Sequence, residues 1–170
     1  MKVIISAILL FSFLTNSSLA LSSNFETKEV KWSDLRKLNY KTGEMPESLR
    51  KLVGKSIKIP GFAVPLEGDD GFEYIDEFLL VPYFGACIHV PPPPPNQVIH
   101  VILDKPVHFE VISFAIWITG ILEIGDYFLE GGSDDFGQMR YDTETSYLIR
   151  GLSVEEYDLQ ISVFTDYKKS

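Results

Sequence analysis

The chain has only one cysteine and little positive charge to balance its acidic residues. Because Cys87 is alone, neither an internal disulfide nor a dithiol exchange motif can form. The 15 Lys and Arg residues stand against 24 Asp and Glu, which gives a formal net charge of −9. A surface of that sign repels phosphate backbones, so we expect no nucleic-acid partner.

The short motifs of several well-defined enzyme classes are also missing. The chain has no Gly-x-Ser-x-Gly elbow, no phosphate-binding loop and no His-Glu-x-x-His helix. Their absence excludes the hydrolase and nucleotidase signatures that these motifs define. The sequence therefore favours a protein that is not an enzyme.

Apolar runs long enough to span a membrane are missing too, since the two longest apolar stretches lie at residues 3–14 and 111–122. Lys2 precedes a mostly apolar stretch at residues 3–14, and small residues follow it. This order is typical of a cleavable secretory signal peptide, and the stretch is shorter than the ~20 residues of a spanning helix. An uncleaved anchor is the alternative. We predict a signal peptide at residues 1–20, a flexible segment at 21–30 and a single β-rich domain at 31–170.

After cleavage the protein should be soluble and either periplasmic or secreted.

From Lys55 onward, polar and apolar residues alternate with the period of two that half-buried strands show. Pro60 and Gly61 indicate a bend, and residues 105–106 a turn. Strands are predicted at residues 56–59, 61–66, 77–83, 86–90, 98–103, 109–124 (one long strand or two), 141–149 and 159–164.

One short helix is predicted at residues 46–53, where Pro46 suits the first turn and Gly54 the end. Many short strands with few helices predict a mostly β fold. We expect a small OB-like barrel or a strongly bent antiparallel sheet with one or two short helices. A β-sandwich is the alternative.

Cys87 and His89 lie in the chemically richest part of the chain. On an extended backbone, residues two apart point to the same side, so the thiol and the imidazole share a face. Their Cα atoms would be about 6.5–7 Å apart, which allows both side chains to reach one ion. Thiolate and imidazole suit zinc or copper. The pattern predicts a soft transition-metal site, with zinc as the first candidate.

Five consecutive prolines at residues 91–95, here called the polyproline run, follow directly. They remove five backbone donors and favour a stiff extended helix, which fixes the position of the preceding strand edge. Asn96 and Gln97 can cap the polyproline run or form hydrogen bonds across it.

Two further residues could complete the metal site. His100 follows the polyproline run on the next predicted strand, so a hairpin would bring it opposite Cys87 or His89. Glu77 is the nearest acidic residue along the chain. The predicted ligands are therefore Cys87, His89, His100 and Glu77.

Other interpretations of this region remain open. Cys87 could be a small buried apolar residue, or a nucleophile for which His100 is the better placed base. The polyproline run, flanked by Tyr83 and Phe84, could dock on a membrane transporter or another envelope protein.

The block FLLVPYFGACIHVPPPPPNQ at residues 78–97 resembles the DUF3299 family of exported bacterial proteins of unknown function. The WSDL motif at residues 32–35 and GFAVPL at residues 61–66 extend the resemblance. It covers roughly residues 30–125. The long block around the Cys-x-His-x-Pro pattern makes it specific.

The resemblance implies a periplasmic protein. Some members occur beside genes for zinc-responsive ABC transport systems, which implies a metal-linked accessory role for Cys87 and His89 alone. We therefore expect an exported protein that binds or hands on zinc, as an accessory to a metal-linked ABC transport system. The alternative is a non-catalytic envelope module that docks through the polyproline run, with Cys87 structural.

Overall fold

The computed structural model describes residues 26–66, 73–84, 93–112, 114–130 and 142–157. The strands in these ranges are β1 (Lys28–Glu29), β2 (Ser56–Pro65), β3 (Tyr74–Val81), β4 (Ile99–His108), β5 (Ala115–Leu129) and β6 (Thr143–Glu156). The helices are α1 (Trp32–Leu35), α2 (Glu47–Arg50) and α3 (Phe109–Ile112), with a 3-10 turn at Pro95–Gln97. None of the helices in the described ranges is long and apolar enough to cross a membrane. The segments predicted at residues 1–20, 86–90 and 159–164 lie outside the described residues.

Five of these strands close into a barrel. β2 pairs antiparallel with β3 on one side and with β5 on the other, so the order β2-β3-β4-β6-β5 returns to β2. β4 and β6 are parallel, whereas β3–β4 and β5–β6 are antiparallel. The short β1 adds a parallel partner beside β2. The predicted small OB-like barrel is confirmed, and the sandwich alternative is wrong.

The barrel closes because β2 changes partner along its length. Residues 56–62 pair with β5, and residues 62–65 pair with β3. Gly61 stands at this change, where an added Cβ would lie 2.7 Å from Leu80 Cγ and 2.9 Å from the carbonyl oxygen of Val81. Only glycine permits so close an approach of β2 to β3, so the bend expected at this position has a steric cause.

Two local predictions differ from the structure. The turn predicted at residues 105–106 is wrong, because β4 continues to His108. In the described pairings, β6 contacts β4 only at residues 99–103, so Pro106 lies where no bond to β6 is needed. Residues 109–112 form α3 before β5 begins, whereas the sequence predicted a strand there.

The barrel interior is apolar and extends under the N-terminal helices. Phe78, Ile99 and Tyr147 from the strands are fully buried, and Leu35 and Leu49 from α1 and α2 belong to the same cluster. Burial of this kind contributes roughly 1.5–3 kcal/mol for each large apolar side chain. The two helices are therefore held by the barrel core as well as by their own hydrogen bonds.

Hydrogen bonds attach α1 to two strands. The Tyr147 hydroxyl donates to the carbonyl oxygen of Leu35 at 2.7 Å, and Trp32 Nε1 donates to the carbonyl oxygen of Pro60 at 2.6 Å. The Leu35 carbonyl at the end of α1 also accepts from the Leu38 N–H, so the Tyr147 hydroxyl is its second donor. Burial raises the pKa of Tyr147 far above its ordinary value, which keeps the donating proton in place.

Replacing Tyr147 with phenylalanine keeps the ring and removes the bond to Leu35. We expect the free energy of unfolding to fall by about 1 kcal/mol, the usual net value of one hydrogen bond. The Leu35 carbonyl still accepts from the Leu38 N–H, so it is not left without a donor. Chemical denaturation measures the change. The same substitution at Tyr74, which is 61% exposed, serves as the control and should cost less than about 0.5 kcal/mol.

The raised pKa of Tyr147 gives the same variant a second readout. A group with a higher pKa in the folded state contributes stability that is complete below its unfolded pKa, about 10 for tyrosine, and lost as the pH rises above it. Above about pH 10, the wild-type protein should therefore lose stability more steeply than Tyr147→Phe. Equal slopes for the two proteins would contradict this account of Tyr147.

Candidate functional site

His100 and Glu77 form a close pair on the outer face of the barrel. His100 Nε2 lies 2.6 Å from Glu77 Oε1. The His100 side chain is 11% exposed, and that of Glu77 is 46% exposed. The imidazole is thus largely shielded from water, while the carboxylate reaches the surface.

Strand register explains the pairing. His100 is the Cα partner of Leu79, so Glu77 lies two residues away along β3. Ile99, Val101 and Phe78 point into the core, and their neighbours His100 and Glu77 therefore point outward. The two adjacent strands hold the pair at diagonal positions, which long side chains can span.

The pairing defines which ring nitrogen carries the proton when the imidazole is neutral. An ionised carboxylate only accepts hydrogen bonds, so Nε2 donates to Glu77. Nδ1 then has a lone pair, and the described residues offer it no hydrogen-bond donor. In this state Nδ1 can bind a metal ion or accept a proton.

The other two predicted ligands, Cys87 and His89, lie outside the described residues. Within the described ranges, no three His, Cys, Asp or Glu side chains form a group that could hold a metal ion. His108 is not part of the pair. It is exposed, and its Nδ1 lies 3.9 Å from Glu110 Oε2. Of the predicted ligands, the structure thus brings together His100 and Glu77.

Asn96 fixes the chain just after the polyproline run. Its Nδ2 donates to the carbonyl oxygens of Arg36, at 3.2 Å, and Leu38, at 2.8 Å, and the residue is buried. Carbonyls near the end of α1 thereby receive donors. Asn96 therefore joins the end of the polyproline run to the N-terminal helix region, where bonding across the run itself was expected.

Gln97 makes a second set of bonds to the same helix. Its Nε2 donates to the carbonyl oxygen of Trp32 at 3.2 Å, and its Oε1 accepts from Arg36 Nη2 at 3.1 Å. One amide thus uses both its donor and its acceptor on α1. Together with Asn96, it fixes the C-terminal end of the connection that carries Cys87 and His89.

Sequence reasoning missed a cleft of about 250 Å³ at the far end of β5. Tyr40 and Pro95 form one side of it, and residues 126–128 and 144–146 form the other. A glycine and an aspartate inside a strand pattern, Gly125 and Asp126, are the one signal of irregularity there. That signal indicates a bulge but not a cavity, because Tyr40 and Pro95 come from distant parts of the chain.

Comparison with known proteins identifies the family. The model of the family described as "Protein of unknown function (DUF3299)" matches residues 17–150. The chain belongs to the DUF3299 family. It is similar to the crystal structure of a DUF3299 family protein from Pseudomonas aeruginosa PAO1, with a TM-score of 0.54 and 27% identity, over 78% of this chain and 97% of that one. No curated protein matches the sequence.

Removing the Glu77 carboxylate should release the His100 ring. In the metal-free protein with neutral imidazole, we expect ¹⁵N NMR to show His100 almost entirely as the Nε2–H tautomer. In Glu77→Ala, the two tautomers should mix, because nothing then fixes the proton on Nε2.

Glu110→Ala is the matched control, because it removes a carboxylate 3.9 Å from His108. It should leave the His100 signals unchanged. A His100 ring with its proton on Nδ1 in the wild-type protein would contradict the assigned pairing.

Proposed function

We propose that this protein binds a soft transition metal, with zinc first, at the outer face where β3 and β4 meet. Cys87, His89 and His100 are the proposed ligands, and Glu77 holds the His100 ring. The hydrogen bond of 2.6 Å between His100 Nε2 and Glu77 Oε1 carries the proposal. Because of this hydrogen bond, we assign Glu77 the role of orienting His100, and we do not propose it as a metal ligand.

Metal-binding histidines almost always donate their second ring N–H to a carboxylate, carbonyl or water. Glu77 provides such an acceptor, and it leaves Nδ1 of His100 as the atom that faces the metal. A zinc ion needs ligands that have lost their protons, and a neutral imidazole of fixed tautomer meets that need. The pair is therefore consistent with one ligand of a larger set.

Chain connectivity supports the choice of partners. β3 carries Glu77, β4 carries His100, and Cys87 and His89 belong to the segment that joins these two adjacent strands. The C-terminal end of that segment is fixed by Asn96. A thiolate and two imidazoles are soft ligands that zinc accepts.

Three protein ligands leave the fourth zinc position open. An open position lets the ion pass to a ligand from another protein, whereas a four-ligand structural site retains its ion. With the predicted signal peptide, this arrangement fits an exported protein that hands zinc on, as an accessory to a metal-linked ABC transport system. The acidic charge of the chain attracts cations to the surface.

Metal analysis of protein purified without an affinity tag, followed by zinc titration, tests the proposal. The Cys87→Ser/His89→Ala double variant should lose zinc binding altogether. His100→Ala should weaken binding by at least about tenfold. Glu77→Ala should weaken it by about 10–100-fold, as expected for a group that orients a ligand.

His108→Ala removes an exposed histidine outside the site and should bind zinc as the wild-type protein does. Zinc binding of unchanged affinity in the Cys87→Ser/His89→Ala variant would overturn the proposal. Weakened binding in His108→Ala to the same degree as in His100→Ala would show that zinc binds histidines without selection.

Exposed aromatic residues favour a second candidate function, docking on an envelope partner. Phe84 is 80% exposed and Tyr83 is 47% exposed, and Pro94 of the polyproline run is exposed as well. Exposed rings and rigid prolines bind partners at a low cost in conformational entropy, although Pro93 is buried. Under this candidate, Cys87 is structural and the protein is a non-catalytic accessory module.

Alanine replacements at residues 92–94 separate the two functions. If the protein docks through the polyproline run, a membrane transporter or other envelope protein captured by the wild-type chain should be lost, with zinc uptake unchanged. Phe114→Ala, which alters another exposed aromatic residue, should retain the partner. Capture that survives the alanine replacements would exclude docking through this segment.

A further inference from the structure

The cleft at the far end of β5 contains an unusual set of side chains. Asp126 and Glu144 contribute two carboxylates, and Tyr40, Tyr127 and Phe128 contribute three aromatic rings. Neither Glu77 nor His100 lines this cleft, and six of its eight lining residues belong to β5 and β6. The proposed zinc site therefore does not account for this set of side chains.

A β-bulge builds one wall of the cleft. Ile124 pairs with Tyr147 and Tyr127 pairs with Thr145, so β5 has one more residue than β6 between these pairs. An extra residue bends the strand and redirects its side chains. Asp126 and Tyr127 consequently line the same cleft, although strict alternation would place neighbours on opposite faces.

The ring of Tyr127 is held beside this bulge. An ideal Cβ on Gly125 would lie 3.2 Å from Tyr127 Cζ, so the ring rests against the glycine backbone. Burial and the negative charge of Glu123 raise the pKa of Tyr127, while Arg150 opposes the shift. The phenol therefore stays neutral, and Tyr127 is one of the residues that line the cleft.

The two carboxylates have no opposite charge nearby among the described residues. Asp34, Glu123 and Glu155 each form an ion pair with Lys or Arg at 2.7–2.8 Å. For Asp126 and Glu144 the described residues provide no such partner, and the described lining of the cleft includes no Lys, Arg or His. Two negative charges beside aromatic rings favour a cationic ligand.

The size of the cleft limits that ligand. Sites for drug-sized molecules measure about 300–1,000 Å³. At about 250 Å³, this open cleft suits a smaller group. A primary ammonium on a short alkyl chain has a charged end for the carboxylates and an apolar body for the rings.

We propose that this cleft binds a primary alkylammonium group. Asp126 and Glu144 neutralise its charge, and Tyr40, Tyr127 and Phe128 contact its alkyl chain and the face of the cation. The group can belong to a free small amine or to a lysine side chain. None of the residues that line the cleft is a proposed zinc ligand.

Isothermal titration of the purified protein at low salt tests the proposal with two probes. Cadaverine represents the free amine, and Nα-acetyl-lysine amide represents the side chain. Both should bind saturably, and 1-pentanol, which lacks the charge, should not. Stronger binding of cadaverine assigns the site to free amines, and stronger binding of the lysine derivative assigns it to side chains.

Variants locate the binding in the cleft. Asp126→Asn/Glu144→Gln should weaken binding of the preferred probe by at least tenfold. Tyr127→Leu should weaken it about two- to fivefold through loss of a cation–π contact. Glu156→Gln removes one charge from the far end of β6 and should change the affinity by less than twofold.

Thermal unfolding checks that each variant is folded, and the replaced carboxylates are exposed, so the fold should tolerate them. Failure of both amines to bind the wild-type protein would overturn the proposal. So would equal binding of 1-pentanol, or a loss in Glu156→Gln equal to that in the double variant.

Discussion

Closure of the five-stranded sheet into a barrel decides which side chains are buried in the core and which can form a site on the outside. Because β2 pairs with both β3 and β5, each barrel strand has a core side and an outer side. The inward residues are mostly apolar, and a buried polar residue such as Thr145 forms hydrogen bonds there. His100 and Glu77 consequently meet outside the barrel on adjacent strands. Gly61 makes this closure sterically possible.

Hydrogen bonds to the α1 region fix one end of the segment between β3 and β4. The helix is too short to be stable alone, so contacts with the rest of the chain have to hold it. Tyr147 donates to its Leu35 carbonyl from the barrel, and Asn96 and Gln97 donate to carbonyls of the same helix and the turn after it. The same bonds that complete α1 therefore fix one end of the segment that carries Cys87. The position of α1 and the position of the segment that carries Cys87 therefore depend on the same hydrogen bonds.

Much of the fold follows from the sequence, because alternation, Pro60 and Gly61 act locally. The barrel was predictable for that reason, as was a helix within residues 46–53, where the structure has the shorter α2 at Glu47–Arg50. Family membership was predictable from the motif block. The continuation of β4 through Pro106 was not predictable from the sequence, because it depends on where β6 stops pairing with β4. His100 and Glu77 were predicted as ligands, but their direct bond depends on strand register, which a sequence pattern does not fix. The cleft combines distant residues and gave no sequence signal beyond its bulge.

The central functional claim is that a sulfur and imidazole nitrogens share one zinc ion beside the Glu77–His100 pair. Zinc K-edge X-ray absorption of the zinc-loaded protein tests this claim most directly, because it reports which atoms surround the ion. Zinc bound at this site should have one sulfur at about 2.3 Å and nitrogen atoms at about 2.0–2.1 Å. A zinc shell made only of oxygen and nitrogen, with no sulfur, would contradict it.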